Sequence, residues 1–224
     1  MAQSAVASDV VFLTAKHTVK PEEKDSLNGG LFLSAIDQLR TLPGVVTVFW
    51  GRSIEQTDRL AVVIRYTSPP TTNPSGILAP FSTTPNSPQL QHLRFSYDAG
   101  ADLPSYPATE IAFPCFASDT PLAELEPLIA DLEAALPKMV HPDGEKIALG
   151  WNSGWLAQPK TLAHSLSKTT GQAIVWGMFI GWVSREEHLK VTGTELFLKP
   201  AMPLIKRMLP MVEGLEGVHF AFRE

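Results

Sequence analysis

The order of predicted elements occurs twice along the chain, and this repetition limits the possible folds more than any other feature. The first half begins with a β-rich run at 9–16 and closes with the run HLRFSYD at 92–98. The second half begins with TEIAFPCFA at 109–117 and closes with GVHFAFRE at 217–224. Between the outer strands of each half the pattern predicts a helix followed by two strands. We interpret the repetition as an internal duplication.

The first half carries clear helix and hairpin signals. Apolar residues recur with helical spacing over 25–41, and a Pro-Gly pair ends that segment. Two β-rich runs at 45–54 and 60–68 are joined by a short polar stretch, which is typical of a hairpin. The stretch at 69–89 is rich in Pro, Ser, Thr and Asn, so we expect a long loop with at most a short helical turn.

The second half gives the same order with a longer helical region near its end. An amphipathic helix is predicted over 122–136, strands over 146–156 and 172–184, and helical structure from 185 to about 211. The sequence therefore predicts an α+β fold of two ferredoxin-like β-α-β-β-α-β repeats, 1–105 and 106–224. Each repeat would form an antiparallel sheet with helices on one face, so we expect the two repeats to cover each other's open face as an intramolecular pseudo-dimer.

Strand alternation places the four tryptophans of the second half, together with apolar neighbours, on one face of each of two strands. These are Ile147, Leu149, Trp151 and Trp155 on one strand, and Ile174, Trp176, Met178, Ile180 and Trp182 on the next. One interpretation is a packed interface between two sheets, because large aromatic side chains dominate such cores. The other is an aromatic ligand pocket, for which the candidate substrate-binding residues are Trp50, Tyr66, Trp151, Trp155, Trp176 and Trp182.

Composition excludes several classes of function. Charged residues make up 18% of the chain and AVILMFWYC residues 44%, which indicates a globular protein with a large core. A net charge of −5 without a block of Lys or Arg offers no basic surface to nucleic acid or an anionic membrane. No apolar run approaches the roughly 20 residues that span a bilayer. The single cysteine and the lack of a secretory signal pattern favour a cytoplasmic location.

The sequence lacks the short motifs that are typical of metal-binding and nucleotide-binding sites. Six histidines form no His-x-x-x-His pair, and Cys115 stands alone. No Gly-rich phosphate loop occurs, and in 150–154 the serine is one place too late for a nucleophile elbow. We therefore expect neither a metal nor another cofactor.

His188 with its neighbour Glu187 is the pair that most favours acid–base chemistry. A histidine exchanges protons near neutral pH, and the nearby Trp182 can supply an aromatic wall that tunes it. In the competing interpretation, Glu186 and Glu187 are first-turn acids stabilised by the helix dipole, and His188 is a packed residue at the junction.

Three other histidines are weaker candidates for a catalytic role. His17, at the end of the first strand, is a further catalytic candidate because a side chain there can reach the mouth of a pocket. Most polar groups at strand ends are simply solvated. His92 and His219 occupy equivalent places in the two closing strands, and such repetition favours a structural role for both.

Two short segments resemble a known superfamily. The run 42–51, LPGVVTVFWG, followed by an acid-containing turn and a strand, resembles the stress-responsive A/B barrel group of the dimeric α/β-barrel superfamily. The segment 181–188, GWVSREEH, is similar to the strand-to-helix junction of that group and of its antibiotic-biosynthesis monooxygenase-like members. The resemblance implies two fused repeats in an α/β-barrel pseudo-dimer. Polyketide-cyclase members carry a histidine pair further along this helix, where the present chain has 191–195, VTGTE, without histidine.

The resemblance also implies a function. It favours a cofactor-independent cyclase, isomerase or lyase that acts on a small hydrophobic, polyketide-like metabolite. A cofactor-free monooxygenase of an aromatic metabolite is one alternative, and a non-catalytic stress or ligand-binding protein is another. A shared fold does not choose among these, and the sequence allows a homodimer as well as a monomer.

Overall fold

The chain divides into two compact units. The computed structural model describes all residues except 1–6, 17, 24, 69–72, 84–90, 101, 139–143, 159, 164–170 and 209–211. One unit consists of 1–105 together with 220–224, and the other of 106–219.

The first unit is an antiparallel sheet with helices packed on one face. Its elements are β1 Ala7–Thr14, α1 Leu27–Arg40, β2 Val45–Ser53, β3 Arg59–Tyr66, α2 Pro74–Leu78 and β4 Gln91–Phe95. The strand order is β2-β3-β1-β4, as in a ferredoxin-like sheet, and residues 220–223 pair with the outer side of β2. The predicted helix, hairpin and closing strand of this half are confirmed. The described part of the Pro-rich stretch contains the short helix α2, which continues as a 3-10 turn over Ala79–Phe81.

One apolar cluster holds the first unit together. Phe32, Ile36 and Leu39 of α1 pack on Val11 and Leu13 of β1 and on inward side chains of β2 and β3. The helix begins at Ser26, whose hydroxyl accepts a hydrogen bond from the Gly29 backbone N–H at 3.1 Å. Because these helix residues follow the period of 3.6, a single face of α1 supplies the whole contact.

The second unit is also an antiparallel sheet with helices, and it has more helix near its end. Its elements are β5 Ala108–Ala117, α3 Leu122–Ala135, β6 Ala148–Gln158, β7 Leu162–Ala163, β8 Gln172–Trp182, α4 Arg185–Val191, α5 Glu195–Leu198, α6 Met202–Met208 and the part of β9 Val212–Arg223 that precedes residue 220. β8 pairs antiparallel with β5, β6 and β7, and β9 lies next to β5 in the sheet order. The α+β class is confirmed, whereas the duplication and the pseudo-dimer stay predictions.

The aromatic face of β8 packs beneath the helices of its own unit. Trp176, Met178, Ile180 and Trp182 form one cluster with apolar residues of α3 and α6. The prediction that Leu149 shares this buried face is wrong, because the pairing of β6 with β8 shifts between Ala148 and Gly150. The bulge adds one residue to β6 and turns the Leu149 side chain outward, where it is exposed.

Two glycines leave room for the ring of Tyr106. Gly150 and Gly181 are direct partners on β6 and β8, and a Cβ atom on either would overlap Tyr106. We expect Gly181→Ala to displace this ring and to lower the free energy of unfolding by about 1–3 kcal/mol. Thermal and urea unfolding will measure the effect. Gly76→Ala, where a Cβ would enter open space in α2, is the control, and an equal loss of stability in both variants would contradict the prediction.

Among the described residues, no helix combines the length and apolar character needed to cross a lipid bilayer.

Candidate active site

Three titratable side chains from three elements of the second unit meet at one place. Glu110 lies on β5, His188 on α4 and His219 on β9. The helix α4 begins at Ser184, whose hydroxyl accepts a hydrogen bond from the Glu187 backbone N–H at 3.1 Å. This cap fixes the first turn of the helix, so it also fixes the direction of His188 one residue later.

His188 is at the centre of the group. Its Nδ1 lies 2.8 Å from Nε2 of His219, so the two rings share a hydrogen bond whose donor depends on the tautomer. Its Nε2 lies 3.6 Å from Oε2 of Glu110. Its ring stacks on the indole of Trp182, with centroids 4.2 Å apart and planes at 9°. These contacts together fix the position and the plane of the imidazole.

The carboxylate of Glu110 is also held in place. The indole Nε1 of Trp182 donates a hydrogen bond to its Oε2 at 3.2 Å. The group is largely withdrawn from solvent, since His219 is 5% exposed and the side chains of His188 and Glu110 are 12% and 15% exposed. In such surroundings a charge formed on one of the three groups acts strongly on the other two.

A cavity of about 260 Å³ opens beside this group. Its walls come from β5, β8 and all four helices of the second unit, and they include Trp176, Met178, Ile180 and Phe197. Of the described residues that line it, Glu110 and His188 are the two that can titrate. Small-molecule sites commonly combine an apolar lining with a few polar groups, so this cavity has the character of a ligand site.

Three wider depressions lie on the first unit. Their volumes are about 330, 430 and 510 Å³, and exposed polar residues such as Lys16 or Asp37 contribute to the lining of each. Trp50 lines the smallest of them. Because none of these depressions has an apolar lining next to a buried titratable pair, we place the candidate site in the second unit.

The tryptophans of the second unit divide between cavity and core. Trp176 and Trp182 line the cavity together with His188. Trp151 and Trp155 are partly exposed and pack against the edge of the apolar cluster. Trp176 and Trp182 pack with apolar residues of the helices α3 and α6, so the interpretation as a packed interface between two sheets does not describe them. Both indoles also form a wall of the cavity, and their role in ligand binding stays a prediction.

The other predicted site residues lie elsewhere. Trp50 and Tyr66 belong to the apolar cluster of the first unit. The carboxylate of Glu187 accepts a hydrogen bond from Lys190 Nζ at 2.6 Å, so the acid that faces the His188 ring across 3.6 Å is Glu110. His17 lies outside the described residues, and its catalytic role stays a prediction.

Sequence reasoning missed Glu110 and His219. The spacing rules for metal and acid–base motifs search short segments, whereas Glu110 on β5 and His219 on β9 lie 78 and 31 positions from His188. A usable signal was present, because Glu110 is the lone acid within the apolar run of β5. One donor atom from each of Glu110, His188 and His219 lies within 4.8 Å of the others, a grouping that can hold a metal ion.

Comparison with solved structures identifies the fold. A candidate monooxygenase from Fusobacterium nucleatum superposes with a TM-score of 0.58 at 9% identity, covering 99% of this chain and 94% of that one. An anthrone oxidase-like protein gives a TM-score of 0.54 at 10% identity, covering 100% and 93%. A candidate monooxygenase from Lactobacillus acidophilus gives 0.52 at 8% identity, covering 98% and 94%. The fold of this chain is similar to the fold of these three proteins.

The likeness extends to the fold alone. No protein-family model and no curated protein sequence matches the chain. At about one identical residue in ten, site residues do not transfer from these structures, because one fold supports many chemistries. The predicted fold is therefore confirmed in general terms, whereas the superfamily and the individual group within it stay predictions.

Proposed function

We propose that this chain is a small-molecule enzyme whose second unit binds a compact apolar molecule and moves a proton with His188. The observation that carries the proposal is the cavity of about 260 Å³, in which Glu110 and His188 face otherwise apolar described walls. An isolated polar pair in such a cavity orients a substrate by its polar atom while the remaining surface is buried. The reaction class we propose is that of a cyclase, isomerase or lyase.

The arrangement around His188 supports proton transfer. When Nδ1 of His188 carries the hydrogen and donates the hydrogen bond to His219 Nε2, the lone pair of the His188 ring lies on its Nε2, on the side of Glu110. A substrate proton taken up by Nε2 forms an imidazolium. The carboxylate of Glu110 and the face of the Trp182 indole both stabilise that cation. This is the geometry expected of a general base held by a second residue.

The cavity volume limits the substrate. A cavity of about 150 Å³ holds benzene, and typical ligand sites begin at about 300 Å³. The present cavity lies between these values. A molecule of one or two rings, or an open chain of similar size, therefore fits, with one carbonyl or hydroxyl group placed toward Glu110 and His188.

A cofactor-free monooxygenase is the second candidate function. The observation that favours it is the fold shared with two candidate monooxygenases and an anthrone oxidase-like protein over nearly the whole chain. An electron-rich aromatic substrate would suit the same indole-lined cavity, and its deprotonation would use the same histidine. Turnover that stops when oxygen is removed identifies the oxygenase, while turnover that continues identifies the cyclase, isomerase or lyase.

Ligand binding tests the proposal directly. We expect 2-naphthol to bind with a stoichiometry of one per chain, measured by calorimetry. Ala112→Leu should weaken binding about tenfold, because Ala112 lines the cavity and the larger side chain removes roughly 60 Å² of ligand contact at ~25 cal/mol per Å². Leu189→Ala, at an exposed position of the same helix as His188, is the control. Failure of the wild-type protein to bind this probe, or equal affinity in Ala112→Leu, would rule out the cavity as the binding site.

A further inference from the structure

The nitrogen atoms of His188 and His219 lie close to the separation expected of two metal ligands. Two imidazole nitrogens bound at 2.0–2.1 Å, at angles of about 90–110°, are separated by roughly 2.9–3.4 Å. The observed distance from His188 Nδ1 to His219 Nε2 is 2.8 Å. A carboxylate oxygen of Glu110 belongs to the same group, whose donor atoms all lie within 4.8 Å of one another. We infer that Glu110, His188 and His219 bind one divalent first-row transition-metal ion.

The donor set selects the class of ion. Two imidazoles and one carboxylate suit the ions from iron to zinc, whereas calcium and magnesium prefer six or more oxygen ligands. The carboxylate supplies one negative charge against the two positive charges of the ion. The burial of all three side chains excludes much of the water that would compete for the ion.

Neighbouring side chains fix the orientation of the ligands, as in known metal sites. The Trp182 indole donates a hydrogen bond to Glu110 Oε2 and stacks on the His188 ring, so it orients two of the three ligands. Such outer contacts typically change metal affinity by about 10–100-fold. Gly217 on β9 leaves room for the carboxylate, since a Cβ there would lie 3.2 Å from Glu110 Oε1.

The ion would lie at the edge of the cavity, because Glu110 and His188 line it whereas His219 is not among the described lining residues. A three-ligand site of this kind leaves a fourth position for water. The ion would take the place of the proton that His188 and His219 share. A neutral imidazole that binds the ion through Nδ1 carries its own proton on Nε2, so it no longer accepts one from the cavity. Metal binding would thus switch off proton transfer by His188.

The metal site itself rests on the geometry of the three side chains, while its inhibitory effect rests on the proposed function. The full chain is first treated with a chelator and then titrated with Co²⁺, followed by visible absorption, and with Zn²⁺, followed by calorimetry. We expect one ion per chain. His219→Gln and Glu110→Gln should each weaken binding by about 100-fold, since each replaces an imidazole or a carboxylate with a neutral amide, which is a weaker ligand.

Glu187→Gln is the matched control, because Glu187 neighbours His188 in sequence but its carboxylate binds Lys190. Its affinity for Co²⁺ should equal that of the wild-type protein. Circular dichroism and thermal unfolding establish that each variant is folded, and of the two ligand variants Glu110→Gln retains an oxygen to accept the Trp182 hydrogen bond. Absence of saturable binding of either ion would overturn the metal site. So would wild-type affinity in both ligand variants.

Two further measurements separate this inference from the proposed function. Binding of 2-naphthol is measured on the chelator-treated protein, so its loss with intact Co²⁺ binding would remove the function and leave the metal site. Loss of Co²⁺ binding with intact 2-naphthol binding would remove the metal site and leave the proposed function. For any substrate found, turnover should fall as Zn²⁺ fills the site in proportion to occupancy. A rise in turnover on adding the ion would overturn the inhibitory role.

Discussion

Replacing His188 with alanine is expected to lower turnover by a factor of about 10² to 10⁴ while the protein remains folded. A general base contributes a rate factor of this size, and His188 is the imidazole whose Nε2 lies beside the cavity carboxylate. The Michaelis constant should change much less than the turnover number, because the apolar walls supply most of the binding energy. Chelator-treated enzyme is used, so that an effect on proton transfer is not confused with an effect on metal binding.

Glu187→Gln is the control for this experiment as well. The sequence alone made Glu187 the partner of His188, whereas the structure pairs Glu187 with Lys190, so its replacement should leave turnover within about twofold of the wild-type value. Glu110→Gln should instead lower turnover, because it removes the charge that stabilises the imidazolium. Full activity of His188→Ala with and without oxygen would contradict the assignment of the base. In that event His17 or the shape of the cavity would have to account for the reaction.

The fold could be predicted from the sequence because its elements are strongly periodic. The helix α1 follows the period of 3.6 from Phe32 to Leu39, and the hairpin strands β2 and β3 are β-rich runs with a polar turn between them. The bulge at Leu149 could not be predicted, because one extra residue in β6 changes the face of the side chain without changing the hydrophobic pattern.

The candidate site was predictable only at His188 and its aromatic neighbour. Trp182 is the last residue of β8 and His188 lies in the helix directly after it, so a local pattern reveals them. Glu110 and His219 reach the site through the pairing of β5 with β8 and through the neighbouring β9, which are tertiary contacts. Repetition of His92 and His219 in the two closing strands suggested a structural role for both. The 2.8 Å contact with His188 gives His219 a role in the site.

A buried ion pair in the first unit leads to the largest expected change in stability. Asp9 on β1 is fully buried and lies directly across from Arg94 on β4. The guanidinium donates two hydrogen bonds to this carboxylate, from Nε at 2.6 Å and from Nη2 at 2.8 Å. Tyr66 donates a third at 3.2 Å. Burial and the nearby charge of Asp9 raise the pKa of Tyr66 above its usual value, so the phenol remains a donor at neutral pH.

Asp9→Ala is expected to lower the free energy of unfolding by about 3 kcal/mol. It deprives a largely buried guanidinium of its carboxylate, a loss that typically costs about 3–5 kcal/mol, and the 16% exposure of Arg94 favours the lower value. The midpoint of thermal unfolding should then fall by roughly 6–12 °C for a chain of this length. Asp37→Ala, which breaks an exposed pair with Arg40, should cost less than about 1 kcal/mol. Urea unfolding of both variants gives the comparison.

A joint Asp9→Leu and Arg94→Leu replacement should recover much of the lost stability, because removing both charges leaves neither one buried alone. Equal stability of Asp9→Ala and Asp37→Ala would show that water or other groups replace the carboxylate, and that the pair does not stabilise the first unit.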